Sequence, residues 1–371
     1  MSSFGVGLKR RGVRLRDFTP RDVAMMNMDV KFQRKVAEQE TQIFYEHLVE
    51  TKDFLHNRIK EKTGREKLDG WIVCGSGIAS LPQYKSQDIK ILDIISTSEI
   101  PNWPEPQAEG HGKELYVADI GGQIVCIQTG REHMYDTDNT PKRLKMMTSP
   151  LIVAKGLGID WLVTTNAAGV LENGKIQQGD VVVDVDYVNK HGVNPLIGPN
   201  DKRLGARFPS KKTIADPYIF GKFEQFIPED HVYLGVYSLS TQSPMYESGA
   251  DVLDGKYDAL LEQNPELIQA YGMSFAMEAM IMQHFNNPPV DENGFDRPVR
   301  FIGLTAATNI ISKPVAATKE ALRKAIVKEA NLTTHKEVLE GAKEAEIYLI
   351  PAVIKLCKSI TENPLPPIPE E

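Results

Sequence analysis

Trp71-Ile-Val-Cys74 is a short apolar run that stops at Gly75-Ser76-Gly77. A run of that kind, bounded by glycines, reads as a buried strand delivering the chain into a loop. The unit recurs. Strand-like segments are expected at 114–120, 123–128, 161–165, 181–185, 231–236 and 299–304, with helical patterns among them at about 141–157, 212–226, 257–270 and 274–285. Such alternation restricts the chain to an α/β layered fold. A helical pattern from about Ala24 to Lys62 comes first, carried by Phe32, Val36, Phe44, Leu48 and Phe54 and closed by Gly64 and Gly70. At the other end Val338, Ala342, Ala345, Leu349, Val353 and Leu356 step by three or four, so one face of a helix over about 334–361 should pack on the sheet.

Composition enters as exclusion. Over 371 residues, 43 Lys and Arg against 50 Asp and Glu leave a net charge of −7, without the basic excess that draws a protein to nucleic acid. No apolar run approaches the roughly 20 residues that span a bilayer, and the N-terminus lacks the apolar stretch of a secretory signal. A cytoplasmic protein with no membrane or nucleic-acid partner is expected. Cys74, Cys126 and Cys357 form no CxxC pair, so they read as reduced thiols rather than a zinc site or disulfide framework. Residues 1–22 carry six basic side chains against two acidic ones: a solvated arm, a mitochondrial presequence or an anion-binding arm. Residues 23–362 read as a single α/β domain with insertions near 250–270 and 285–300, and 363–371 as a Pro-rich tail.

Five segments carry chemistry. The Gly75-Ser76-Gly77 loop suits a phosphate oxygen, because glycines let backbone N–H groups converge around a hydroxyl; a dinucleotide fingerprint with Ser80 in place of its third glycine, or a plain structural turn, are the alternatives. Gly130-Arg-Glu-His-Met-Tyr135 follows a strand, and if the chain stays extended Arg131, His133 and Tyr135 share one face. A guanidinium fork, an imidazole and a phenol there fit a small dianion beside a polyol, the alternative being a solvated edge. Thr165-Asn-Ala-Ala-Gly169 reads as a small-residue turn that a ligand can approach closely or as a tight turn after a core strand. Tyr246-Glu247 sets a ring that can stack on a flat base beside a carboxylate that can accept its N–H, the alternative being that Tyr246 is a core residue. Ala306-Ala-Thr308-Asn309 ends a strand with an amide that both donates and accepts, the alternative being a turn or a helix cap.

Taken with NPLIGPND (194–201), ARFP (206–209), YGMS (271–274) and THKEVLEGAKEA (334–345), these segments resemble, in family order, the purine nucleoside phosphorylases of the trimeric, low-molecular-mass type. The resemblance implies a single-domain mixed β-sheet with a distorted barrel core surrounded by α-helices. It implies reversible phosphorolysis of 6-oxopurine nucleosides in purine salvage, with inorganic phosphate as co-substrate and no metal or organic cofactor. It assigns phosphate to Ser76, Arg131, His133, the backbone at Ala167 and Ser274, with His111 in a second tier. The ribose falls to Tyr135, Met273 and His335, and the purine to Tyr246, Glu247, Tyr271, Thr308 and Asn309. Asn309, Glu247 and His133 are the catalytic set. Phe208 is implied to close a neighbouring subunit's site in a homotrimer.

The sequence departs from the family at Tyr246, in place of Phe; at Asp136-Thr137, in place of Glu-Gly; and at Tyr271, in place of a small aliphatic residue. These bear on site shape more than on reaction type. Rival readings are a methylthioadenosine phosphorylase, for which Asn309 would be aspartate, a Rossmann oxidoreductase, and a catalytically silent nucleoside-binding protein.

Overall fold

The structure, a computed structural model, describes residues 20–75, 78–106, 112–136, 140–190, 192–209, 214–239, 263–264, 266–285, 295, 298–311 and 335–368, apart from the side chains of 20–28, Pro141, Phe285 and His335. The chain divides into two compact units, 1–46 and 47–371. One helix, α1 (Pro20–Thr63), contributes to both. In the first unit its exposed face is laced by one-turn contacts, Gln33 to Asp29 at 3.3 Å and Gln42 to Glu46 at 2.8 Å. In the second, Leu48, Leu55 and Ile59 are buried on one stripe, and Arg58 pairs with Asp93 at 2.6 Å. The helix stops at Gly64, whose φ of 71° and N–H bond to the Lys60 carbonyl at 2.8 Å form a glycine C-cap.

Among the described residues the second unit is built on nine strands: β1 (Gly70–Val73), β2 (Ile89–Ser96), β3 (Glu114–Ile120), β4 (Gln123–Gln128), β5 (Trp161–Leu171), β6 (Val181–Asn189), β7 (Val232–Leu239), β8 (Leu267–Gly272) and β9 (Arg300–Ile311). They run β2-β3-β4-β1-β5-β8-β7-β6-β9, and β9 also pairs with β5. Strands β5, β8, β7, β6 and β9 therefore close into a barrel, with β1, β4, β3 and β2 extending from it. Among the described residues, four further helices surround this sheet: α2 (Pro141–Gly156), α3 (Pro217–Phe226), α4 (Phe275–Phe285) and α5 (His335–Glu362). The mixed barrel with surrounding helices matches the expected fold class.

Alternation along the strands separates two faces. Val163, Val181, Val183, Ile302, Leu304 and Ala306 lie in one core cluster with Phe223 of α3 and Ala345, Leu349, Val353 and Leu356 of α5. The apolar stripe foreseen on α5 is thus buried as a whole, each of its Leu and Val side chains gaining about 1.5–3 kcal/mol from burial. Gly341 lets this helix press on β9, since a Cβ there would meet the Thr308 carbonyl oxygen at 2.7 Å. The opposite face bears Thr164, Asn166, Asp184 and Thr305, all fully buried.

Four sequence expectations are corrected. Asn166–Gly169 is not a turn: β5 continues for eleven residues, Trp161–Leu171. Likewise Ala306–Asn309 neither turns nor caps a helix, because β9 runs on to Ile311 in register with β5, with a bulge between Ala168 and Gly169. Barrel closure is the reason, since these small residues have strand partners that local sequence does not reveal. The helix expected over 257–270 is corrected where it is described, as 267–270 belong to β8 between β7 and β5; a short buried apolar run carries no periodicity that separates the two. Finally β2, a half-exposed edge strand with a register shift between Ile91 and Asp93, was not foreseen. The basic arm up to residue 19 and most of both expected insertions lie outside the described residues.

Candidate active site

The site forms where β5 changes neighbours. Along one edge its residues 161–164 pair with β1, and Gly169 and Val170 pair with β8 running the other way. Between them, on that edge, the described residues supply no strand partner for 165–168. Divergence of neighbouring strands is where open α/β sheets admit ligands, because backbone groups there are free to meet something other than a strand. Ala167, in the middle of the gap, is half-buried.

Arg131 reaches the gap from the end of β4. Trp71 Nε1 donates to Gln128 Oε1 at 3.2 Å, and Gln128 Nε2 donates to the Gly130 carbonyl at 2.6 Å, so the turn into Arg131 is braced by a buried relay. The guanidinium donates through Nη2 to the Thr165 carbonyl and pairs through Nε with Glu278 Oε1 of α4 at 3.2 Å. Both side chains are buried, and burial pushes the Glu278 carboxyl up while the Arg131 charge opposes the shift. Glu278 was missed in the sequence. Its signal was a lone carboxylate inside the apolar stretch Phe275-Ala-Met-Glu-Ala-Met-Ile-Met282, which a helix buries only if the charge is met.

The expected extended face beyond Arg131 is also corrected, because Met134–Asp136 is a 3-10 turn. Asp136, one of the departures from the family, holds that turn: its Oδ2 accepts from the His133 N–H at 2.9 Å. The turn nevertheless keeps two of the expected residues together, with the His133 and Tyr135 rings stacked at 4.9 Å and 6°. Glu132 is buried, lines the same cavity and pairs with Arg143 at 2.8 Å; burial lifts it to about 7 against the pull of Arg143, with Asp136 adding to the rise. Arg131 and His133, with 6% and 8% of their surface exposed, are not a solvated edge.

A cavity of about 20 Å³ is lined by Arg131, His133, Met273, Ser274, Gln128 and Glu278, among others. Ser274 is placed by its own N–H, which donates to the Tyr237 hydroxyl at 3.0 Å. On the other side of the gap Thr308 Oγ1 lies 3.1 Å from the Ala168 carbonyl and 3.2 Å from Asn309 Oδ1. Gly169 leaves room for that amide, since a Cβ there would stand 2.9 Å from Asn309 Nδ2. Tyr271 faces Gly169 in register but is buried with Leu171 and Ile311, with Lys190 Nζ 5.2 Å above its ring. Phe208 is far from burial at 88% exposed, with Arg207 5.9 Å over its ring.

The structure thus gathers Arg131, His133, Tyr135, Ala167, Met273, Ser274, Tyr271, Thr308 and Asn309 around the middle of β5 and the loops beside it. Ser76, His111, Tyr246 and Glu247 lie outside the described residues, and of His335 only the backbone, at the start of α5, is described.

A family model for the phosphorylase superfamily matches residues 71–340, which contain every one of these positions. The chain belongs to the phosphorylase superfamily. Within it this phosphorylase is a member of the purine nucleoside phosphorylase family and, as such, an enzyme, a pentosyltransferase. It is 30% identical over 328 residues to the purine nucleoside phosphorylase of Rattus norvegicus, an alignment that covers 86% of this chain and 97% of the relative. Among solved structures, isoform 2 of the Schistosoma mansoni purine nucleoside phosphorylase, in complex with cytosine and ribose-1-phosphate, superposes with a TM-score of 0.63 at 25% identity, covering 85% of this chain and 96% of that one. A schistosoma enzyme in complex with hypoxanthine gives 0.60, also at 25% identity, covering 82% and 95%.

Proposed function

We propose that this phosphorylase cleaves 6-oxopurine nucleosides such as inosine and guanosine reversibly with inorganic phosphate, releasing free purine and (deoxy)ribose 1-phosphate in purine salvage. One observation carries the reading: a buried guanidinium, Arg131, is fixed at Thr165 of β5 beside His133 and Ser274, and the Asn309 amide stands on the neighbouring strand β9, opposite Gly169 of β5. A cation and an amide held that far apart suit a reaction that needs an anion on one side of a sugar and a hydrogen-bonded leaving group on the other.

Breaking an N-glycosidic bond builds positive charge at the anomeric carbon and negative charge on the departing base. In this reading phosphate, held by Arg131, His133, Ser274, Ser76 and the backbone at Ala167, with His111 nearby, is both nucleophile and electrostatic partner. Being buried, Arg131 loses little freedom when the anion arrives. Tyr135, Met273 and His335 hold the ribose. Tyr246 stacks on the purine, Glu247 accepts from its N1–H, and Asn309, steadied by Thr308, donates to N7 as charge gathers there. Tyr271, packed with Leu171 and Ile311, shapes the floor beside the base. No protein nucleophile, metal or organic cofactor takes part. The enzyme works as a cytoplasmic homotrimer, in which exposed Phe208, with half-exposed Ile197 on the same loop, covers the neighbour's site.

The experiment is a cleavage assay on inosine and guanosine with and without phosphate or arsenate. Turnover is expected only with the anion, and equal rates in phosphate-free buffer would overturn the reading.

A further inference from the structure

The loop that leaves β1 is tied down at both ends, and the second tie comes from a helix that the reaction does not otherwise call on there. At its front the Gly75 N–H donates to Thr165 Oγ1 at 3.1 Å, and that hydroxyl lies 3.1 Å from the Val73 carbonyl. Thr165 is the residue whose carbonyl receives Arg131. A Cβ at Gly75 would come within 3.0 Å of Arg131 Nη2, so the loop starts against the guanidinium itself. At its rear the Ser80 N–H donates to Glu346 Oε1 at 3.0 Å and the Ser80 hydroxyl donates to Glu346 Oε2 at 2.7 Å, across 266 positions of sequence. Ser76 and Gly77 stand in the chain between these two ties.

We infer that Glu346 is a positioning residue for phosphate, clasping Ser80 so that Gly75 and Ser80, on either side of Ser76 in the chain, are both held in place, Gly75 against Arg131. The inference rests on the phosphorolysis reading above and goes beyond it by assigning a role to α5.

Three features support it. Ser80 occupies the N-cap of a 3-10 turn, Leu81–Gln83, yet its side chain makes no cap bond. An N-cap serine ordinarily gives its oxygen to the turn's own N–H groups; here the hydroxyl is committed to the helix instead. Second, both donors of one residue meet both oxygens of one carboxylate. A single contact leaves a loop free to pivot, whereas two parallel charge-assisted bonds fix orientation as well as distance. Third, a carboxylate near an anion site is unfavourable unless its lone pairs are occupied, and Glu346 spends both oxygens on Ser80. The clasp also links the loop to the helix whose first residue is His335, about 16 Å away along the axis at 1.5 Å per residue. The phosphate loop and the start of the ribose side thus share one rigid element.

The test combines kinetics with calorimetric titration of inorganic phosphate into the full-length enzyme. Glu346→Ala is expected to raise the phosphate KM and Kd about tenfold while the nucleoside KM stays within about twofold and Tm within a few degrees, the signature of one lost ground-state contact. Ser80→Ala, which keeps the N–H, is expected to give a rise of about threefold, and Ser80→Thr to behave as wild type. The double variant Ser80→Ala/Glu346→Ala should be no worse than Glu346→Ala alone, because both remove the same contact. An unchanged phosphate KM in Glu346→Ala and Ser80→Ala, beside normal phosphate binding by wild type, overturns the clasp and leaves the reaction standing. So do equal losses for both substrates accompanied by a large fall in Tm. A wild-type enzyme that binds no phosphate overturns both.

Discussion

Asp184 offers a sharp test of the buried polar face of the barrel. It is fully buried on β6, and Thr305 Oγ1 lies 2.8 Å from its Oδ2 and 3.0 Å from Asn166 Oδ1. A threonine hydroxyl has one hydrogen, so it cannot serve two acceptors. With the Asn166 amide in this orientation, the contacts are all satisfied when Asp184 keeps its proton and donates to Thr305, which then donates to Asn166. Burial agrees, lifting the carboxyl from 3.8 to about 8, with the polar contacts to Thr305 and Asn166 opposing the rise. An unfolded chain releases this proton near pH 4 and the folded one holds it to near 8, so in that window the folded state binds more protons. The stability it contributes is full below pH 4 and falls by about 1.4 kcal/mol per unit until the folded carboxyl ionises. By pH 7 the loss is on the order of 4 kcal/mol. Asp184→Asn replaces the acid by an amide that donates to Thr305 in the same place without a proton to hold. Urea unfolding followed by fluorescence of the buried Trp71 and Trp161, from pH 4.5 to 8.5, should show the variant close to wild type at the acid end and increasingly more stable toward pH 8. A stability difference that does not change with pH would refute the proton assignment.

Four further outcomes are expected. Arg131→Ala should lower kcat/KM for phosphate by 10² or more, about 2–4 kcal/mol, and lower Tm because Glu278 is left buried without its cation; an unchanged rate would remove Arg131 from the site. Gly169→Ala pushes a methyl to within 2.9 Å of Asn309 Nδ2, so kcat on inosine should fall at least tenfold with the phosphate KM intact, as phosphate titration at saturating nucleoside will show. Asn309→Asp should shift kcat/KM from inosine toward adenosine, since a protonated Asp donates to N7 while its other oxygen accepts from a 6-amino group; equal preference in both enzymes would mean the base is read elsewhere. Sedimentation should give a homotrimer, and an active monomer at assay concentration would sink both the assembly and the role given to Phe208.

Local chemistry made much of the fold legible and left its closure hidden. The α5 stripe from Val338 to Leu356 could be read because burial of one helical face imposes spacing on neighbouring residues. The edge strand β2 could not, because a half-exposed strand beside solvent carries only part of the alternation. The length of β5 and β9 is the more instructive case. Asn166-Ala-Ala-Gly169 and Ala306-Ala-Thr-Asn309 look like turns because small and polar residues disfavour isolated strands, yet each is the other's partner in the barrel. Propensity is a statement about a residue and its near neighbours; register between segments some 140 positions apart overrides it.

The same two segments explain why the candidate site was partly visible. Small residues placed in strands do not contribute much packing, so their presence at the crossing of β1, β5 and β8 marks backbone that must stay open to something else. Arg131 could be read as an anion ligand from its neighbours His133 and Tyr135, but not the pair that makes it one. Its pose depends on Glu278 from α4 and the carbonyl of Thr165 from β5, contributed by parts of the chain that share no local pattern with it. Residue types that do chemistry announce themselves in sequence when their function needs several of them together. The residues that hold them still are ordinary ones, a glutamate on an apolar helix or a glycine in a strand, and only the packed chain shows which of these are bound to which.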